Sequence, residues 1–344
     1  MTTSYDDRIR NALAEQHRKC FDPERKELKQ DRAEYIDCPV CDSPHKTLFF
    51  TKDWFTFSKC NQCAMVYLNP RLTEQATYDF YNSDWNAIYN EAKFDTISVH
   101  TELDDHINQT NLQLLLRNGA QGELLEIGFA NGFFLRAAKA AGFSVHGLEL
   151  NEPNYQKVRR ELGPTIHNKD LFRAVLPANF FDVIYMRDVF EHVPEPKAML
   201  RELARIAKPG CLLFIEVPNI EGLIYKIVKE RHVCVFGFEH LNYWAPATLQ
   251  KILERTGFTV RETAFASLDF TIGDLIRAHF VPNHTTLYPT KLGKAPELVL
   301  RMLNIAWSTF PLRQMDKKLT PKIADSLRRG SVVKVLSQKQ WNRG

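Results

Sequence analysis

From residue 122 onward, short apolar runs alternate with amphipathic stretches, and turn residues stand between them. ELLEIG (123–128), SVHGLEL (144–150), FFDVIYM (180–186) and CLLFIEVP (211–218) are too short and too apolar for surface helices and read as buried strands. FFLRAAKAAG (133–142), EPNYQKVRRELG (152–163) and AMLRELARIAKPG (198–210) carry helical spacing and end at glycine; the second starts just after Asn151. ATLQKILERTG (247–257) repeats that form, followed by the strand GFTVRETAFAS (257–267) and a last strand, RGSVVKVLSQK (329–339), expected to run antiparallel. Strands alternating with helices predict an α/β fold with a doubly wound, mostly parallel, seven-stranded sheet. Upstream, Leu103, Ile107, Leu112, Leu115 and Leu116 mark a helix ending at Gly119.

Six segments follow: a charged N-terminal stretch (1–34), a cysteine-bearing ribbon (35–70), a helical linker or lid (71–121), the core (122–268), a helical insertion (269–326), and the final strand with its tail (327–344). With 344 residues, 44% of them hydrophobic, the chain can bury a full core. A formal net charge of +4 does not mark a nucleic-acid binder. The N-terminus has no apolar stretch, and no run of eighteen apolar residues occurs anywhere, so the expectation is a cytosolic protein with reduced thiols.

Its seven cysteines are then not a disulfide framework. Cys38 and Cys41 form one C-x-x-C pair, Cys60 and Cys63 another, with eighteen residues between the pairs. That spacing fits a tetrahedral four-cysteine zinc site, with redox pairs as the alternative. Four protein ligands leave no open position for water or substrate, so such a metal is structural.

Ligands of doubly wound sheets bind outside the carboxyl ends of the strands, which directs attention to the first strand-to-helix turn. It reads Glu126-Ile127-Gly128-Phe129-Ala130-Asn131-Gly132-Phe133, with small residues where a ligand approaches the backbone. A dinucleotide fingerprint needs a third glycine where Phe133 stands, which argues against NAD. Glu149, twenty-one positions after Gly128, ends the second strand, where a carboxylate can accept both ribose hydroxyls of a nucleoside. Asp170 and Leu171 lie where the third strand ends; both acids also read as helix-start or loop charges.

These motifs, together with FDVIYMRDVFEHVPEP and AKPGCLLFIEVP in that order, resemble a class I S-adenosylmethionine-dependent methyltransferase of Rossmann-like fold. Ala130 replaces that family's middle glycine and Glu126 a frequent aspartate. The resemblance implies that Glu126 and Gly128 line the methionine and sulfonium side, Glu149 holds the ribose, Asp170 and Leu171 flank the adenine, and Arg187 borders the cofactor. Phe129, Ala130, Asn131, Gly132 and Leu150 complete the implied set. The four-cysteine segment, an Asn-Pro-Arg turn, a Tyr-rich helix and this core further resemble a sugar C-methyltransferase and glycan-tailoring subgroup. There a Glu-His pair before an aromatic run supplies the base, and FGFEHLNYWAPATL matches it at Glu239 and His240, although Gly237-Phe238 stands where a tyrosine is frequent.

Histidine suits such a base, since its ordinary pKa of about 6.5 lies near neutrality. His192, in FEHVPEP, is the second candidate. The insertion holds the apolar helix-like run APELVLRMLNIAWSTF, followed by Arg313, Lys317, Lys318, Lys322, Arg328 and Arg329. It reads as a solvated helix, or as a basic lid for a nucleotide-linked or lipid-linked acceptor, with peripheral membrane contact through 269–326. Three functions compete: methyl transfer to a small-molecule or glycan acceptor, which is preferred; nucleic-acid methylation with the ribbon as reader; and a non-catalytic scaffold. MRDVFEH lacks the Asn/Asp-Pro-Pro-aromatic motif of base amino-methyltransferases, and the retained Gly128, Gly132 and Glu149 oppose a scaffold. The acceptor, the methylated atom and the oligomeric state are not encoded in these patterns.

Overall fold

A computed structural model describes residues 5–95, 97–266 and 330–340. The insertion expected at 269–326 lies outside the described residues. In chain order the principal elements are α1 (Tyr5–Cys20), β1 (Lys46–Lys52), β2 (Phe55–Cys60), β3 (Val66–Leu68), α2 (Glu74–Tyr81), α3 (Asp84–Asp95) and α4 (Ile97–Arg117). Then come β4 (Glu123–Ile127), α5 (Phe133–Ala140), β5 (Ser144–Leu148), α6 (Glu152–Leu162), β6 (Ile166–His167), β7 (Phe181–Arg187), α7 (Pro196–Ile206) and β8 (Ala207–Pro218). The last are α8 (Leu223–Val228), β9 (Asn242–Tyr243), α9 (Pro246–Arg255), β10 (Phe258–Ala266) and β11 (Val332–Lys339).

The chain divides into two compact units, one comprising Met1–Asp95, Pro218–Ala245 and Phe265–Val333, the other Thr96–Val217, Pro246–Ala264 and Lys334–Gly344. The second unit holds most of the expected seven-stranded sheet, in the order β6-β5-β4-β7-β8-β11-β10. Pairing among β6, β5, β4, β7 and β8 is parallel. Ser337 reaches Leu213, Gln338 reaches Gly210 and Lys339 reaches Ala207, so β11 runs antiparallel to β8. The helices cap as their sequences direct. Asn151 accepts the Asn154 N–H at the start of α6, and Gly163, at φ 95°, closes it. Leu112 and Leu115 of α4 join Leu124, Phe134, Val183, Tyr185 and Phe214 in this unit's core, whereas Leu116 is exposed.

The first unit carries an antiparallel sheet in the order β9-β3-β2-β1. Its core unites segments far apart in sequence: Ile9 and Leu13 of α1, Phe55 and Phe57 of β2, Phe80 and Trp85, and Val235 to Ala245. Within the charged N-terminal stretch, Tyr5–Cys20 therefore forms a helix whose apolar stripe is buried, and the cysteine segment shares a core with it. Phe55 packs edge-on against Phe21 at 4.7 Å and Phe238 at 5.0 Å between ring centroids. Among the described residues, no helix is long and apolar enough to cross a membrane.

Candidate active site

In the second unit, the turn after β4 needs backbone that side chains resist. Gly128 and Gly132 adopt φ 74° and 70°, and Ala130 sits at 45°, a left-handed conformation that costs a non-glycine residue about 1 kcal/mol. A β-carbon on Gly128 would meet Val189 Cγ2 at 2.5 Å, and one on Gly132 would meet Val158 Cγ2 at 2.8 Å, so both glycines also serve close packing. The Glu149 carboxylate is fixed from two sides, accepting the Ala130 N–H on Oε2 and the Asn151 N–H on Oε1, each at 2.8 Å. Charge-assisted bonds of this kind hold the group still while each oxygen keeps a lone pair for a ligand hydroxyl.

Glu126 lies on β4, only 5% exposed, and its Oε2 has no hydrogen-bond partner among the described residues. Burial pushes its carboxyl up to about 8; the Arg187 guanidinium acts in the opposite direction and the Glu149 charge adds to the rise. Asn131 Oδ1 is likewise buried and unpartnered among the described residues. A turn holding two orphaned acceptors beside an anchored carboxylate suits a ligand bearing an ammonium and hydroxyls, as S-adenosylmethionine does.

Asn108 and Asn111, three apart on α4, are both buried. Asn108 Oδ1 accepts from Arg187 Nη1 at 2.9 Å. Asn111 Nδ2 donates to Tyr185 Oη at 2.9 Å and Glu216 Oε2 at 2.8 Å, while its Oδ1 accepts from Lys334 Nζ at 2.8 Å. Lys334 Nζ also lies 3.4 Å from Glu216 Oε2, so a buried ion pair is bridged by an amide. Tyr185 is stacked on Phe134 and Phe214.

Other expected residues take plainer positions. Asp170 Oδ1 accepts the N–H groups of Phe172 and Arg173, both at 2.9 Å, which closes its own loop. Leu171 is buried, whereas Leu150 and Phe172 are exposed. His192 is half-buried in a short 3-10 turn, its Nε2 3.9 Å from Glu191 Oε1.

In the first unit the four cysteine sulfurs lie within 4.8 Å of one another. Cys38 Sγ is 3.4 Å from Cys63 Sγ, and Cys41 Sγ is 3.5 Å from Cys60 Sγ. A zinc ion with Zn–S bonds of 2.3 Å sets tetrahedral sulfurs about 3.8 Å apart, so the donor set fits. The two knuckles have matching backbones: Asp42 N–H donates to Cys38 O and Ala64 N–H to Cys60 O, with Asp42 and Ala64 at φ 61° and 64°. Two residues past the second knuckle, β3 pairs with β9 through Val66 with Tyr243 and Tyr67 with Asn242. The Leu68 N–H donates to Leu241 O, and the N–H groups of Glu239 and His240 both donate to Phe236 O. The Glu239–His240 pair thus leads straight into a strand of the four-cysteine sheet.

Residues 100–263 match the family described as a methyltransferase domain. By that match this stretch is similar to methyltransferase domains. The ubiquinone biosynthesis O-methyltransferase of Vibrio parahaemolyticus is 24% identical over 168 residues, which cover 44% of this chain and 72% of that protein. Its counterpart in Idiomarina loihiensis is 29% identical over 131 residues, covering 36% of this chain and 51% of that protein. The chain thus spans half to nearly three quarters of these two relatives. Magnesium protoporphyrin IX methyltransferase from Synechocystis, solved with bound S-adenosylhomocysteine, resembles the chain at a TM-score of 0.40 and 21% identity, with 48% of this chain and 78% of that chain covered.

Within the second unit, sequence reasoning singled out the turn, Glu149 and Arg187 but missed Asn108, Asn111, Glu216 and Lys334. The available signal was slight: two asparagines three apart on a largely polar helix, and single charges, Glu216 and Lys334, inside apolar runs of two strands.

Proposed function

We propose that the protein transfers the methyl group of S-adenosylmethionine to a sugar, glycan or similar small polar acceptor, with His240 as base and Glu239 beside it. The observation that carries this reading is the attachment of the Glu239–His240 segment to the four-cysteine sheet through β9. A structural zinc on Cys38, Cys41, Cys60 and Cys63 then has a task in the first unit, which is to fix the segment carrying the base. Bound S-adenosylmethionine supplies an electrophilic methyl group on a sulfonium. The chain's own residues bind and orient it: Glu149 takes the ribose hydroxyls, and Glu126 with the 128–132 turn lines the methionyl side. Asp170, Leu171 and Leu150 belong to the adenine side of that set. An imidazole nitrogen of His240 takes the proton that an acceptor hydroxyl or acidic carbon loses, with His192 as the second candidate. A cytosolic enzyme working on a nucleotide-linked or lipid-linked acceptor fits this scheme.

A second reading, favoured by the names of the relatives, is O-methylation of a ubiquinone precursor. It uses the same cofactor residues and differs in the acceptor.

Calorimetry of S-adenosylmethionine binding tests the cofactor site. Glu149→Ala removes two charge-assisted hydrogen bonds, each worth about 1.5–3 kcal/mol, and is expected to weaken binding at least about a hundredfold. Turnover is then compared on nucleotide-sugars, glycans and ubiquinone precursors. His240→Ala is expected to lower kcat by about 10²–10⁴ with cofactor affinity unchanged. Absence of binding to the wild type overturns the methyltransferase reading, and unchanged turnover in His240→Ala removes the base.

A further inference from the structure

In the first unit, β1 and β2 form a hairpin whose base and tip serve different neighbours. At the base, Lys46 pairs with Cys60 of the cysteine cluster, and the Asn61 N–H donates to His45 O at 3.0 Å. At the tip, Lys52 pairs with Phe55 across a two-residue turn, Asp53 and Trp54, with φ 49° and 67°. His17 Nε2 of α1 donates to Asp53 O at 2.9 Å, and Phe55 packs on Phe21 and Phe238, so the tip is fixed by several contacts. Lys52 is only 8% exposed there, and its Nζ donates to Val235 O at 2.5 Å, 183 positions away. Burying an ammonium costs free energy, and burial lowers the Lys52 pKa to about 8 against the pull of Asp53, Cys234 and Glu230. An apolar side chain would fill the same space without that cost.

The carbonyl that Lys52 holds stands one peptide before the carbonyl that carries the Glu239–His240 turn. Phe236 O accepts the Glu239 N–H at 3.2 Å and the His240 N–H at 2.9 Å. Peptide groups are planar, so fixing Val235 O fixes the plane that includes the Phe236 nitrogen and leaves two dihedrals before the Phe236 carbonyl. On the other side, the Val235 N–H donates to His232 O at 2.9 Å and the Cys234 N–H to His232 Nδ1 at 3.1 Å. That nitrogen accepts only without a proton. Burial, with the Lys52 charge second, keeps His232 neutral by pushing its pKa down to about 4. We propose that Lys52 is the positioning residue of the Glu239–His240 turn: from the tip of the cysteine hairpin its side chain holds the Val235 carbonyl, and with it the Phe236 carbonyl on which the two amides hang. This inference rests on the reading of His240 as base given above.

The test follows amide hydrogen exchange in the full chain by NMR, with parallel turnover assays in which S-adenosylmethionine is the methyl donor. Lys52→Met keeps the stem and removes the donor. Exchange at the Glu239 and His240 amides is expected to quicken about tenfold, the value of one buried charge-assisted hydrogen bond. The Cys60 and Ala64 amides, bonded within the second knuckle, should exchange as before. Lys52→Gln, a neutral donor of shorter reach, should quicken the turn by about threefold. On the nucleotide-sugars, glycans and ubiquinone precursors named above, Lys52→Met should lower kcat by about ten- to a hundredfold through a misplaced base, and should cost nothing further in the His240→Ala background. Unchanged exchange at Glu239 and His240 overturns the proposal in whichever variant folds, as does a quickening shared by the whole first unit, which signals lost stability alone. An added kcat loss in the His240→Ala background also overturns it, because Lys52 would then act elsewhere. Unchanged turnover in His240→Ala is a different result, since it removes the base while a local quickening in Lys52→Met still assigns Lys52 to the turn.

Discussion

Glu126 combines burial with an ionisable group and an unsatisfied oxygen, a costly arrangement in a ligand-free protein. Its carboxyl, pushed up to about 8 chiefly by burial, holds its proton in the folded state long after an unfolded chain would have released it. The folded state therefore binds more protons than the unfolded state between about pH 4.5 and 8, and stability falls as pH rises through that window. Urea denaturation of the ligand-free protein at pH 5 and pH 8 should show this loss, and Glu126→Gln should flatten the difference; an unchanged pH slope in that variant would assign it to other groups. Glu149 illustrates how far a single residue can be read from sequence. Its place at a strand end raised the expectation of a ligand-facing acid, whereas its fixation by the Ala130 and Asn151 N–H groups came from the fold. Asp170, at the same kind of position, accepts two N–H groups of its own loop, as the alternative reading of a loop charge anticipated.

Among the elements, the turn after β4 and the two cysteine knuckles were legible because their geometry is local. Glycine carries the positive φ without strain at Gly128 and Gly132, and C-x-x-C brings two sulfurs to one tight turn. The charged N-terminal segment reads from sequence as helical or frayed, but the buried stripe of Ile9 and Leu13 on α1 was not legible, since charge density hides it. Gly237, in the segment before the Glu239–His240 pair, has a packing reason visible only in three dimensions. A β-carbon there would lie 2.6 Å from Phe55 Cδ2 and 2.8 Å from Cδ1. Both atoms belong to the buried Phe55 ring, so Gly237→Ala forces that ring to move and should destabilise the protein by about 1–3 kcal/mol. Urea titration would measure it. A neutral effect would mean that the Phe55, Phe21 and Phe238 cluster adapts without cost.

For the whole molecule, the four-cysteine cluster falls in one compact unit and the residues proposed for the cofactor in the other. Removing zinc with a chelator should loosen the four-cysteine sheet and the strand after His240, with loss of the near-ultraviolet aromatic signal of the first unit. S-adenosylmethionine affinity should stay within about threefold, because every residue assigned to the cofactor belongs to the second unit. Loss of cofactor binding on chelation would refute that separation. The sequence by itself determined the alternation of strands and helices, the glycine turn and the cysteine spacing, because hydrophobic periodicity, backbone sterics and ligand spacing act over a few residues. Tertiary structure alone decided that 218–245 packs with the N-terminal unit, that Asn108 meets Arg187 79 positions away, and that Lys334 reaches Asn111 across 223. Such pairings answer a buried group's need for a partner, and which residue meets that need depends on how distant segments close in space.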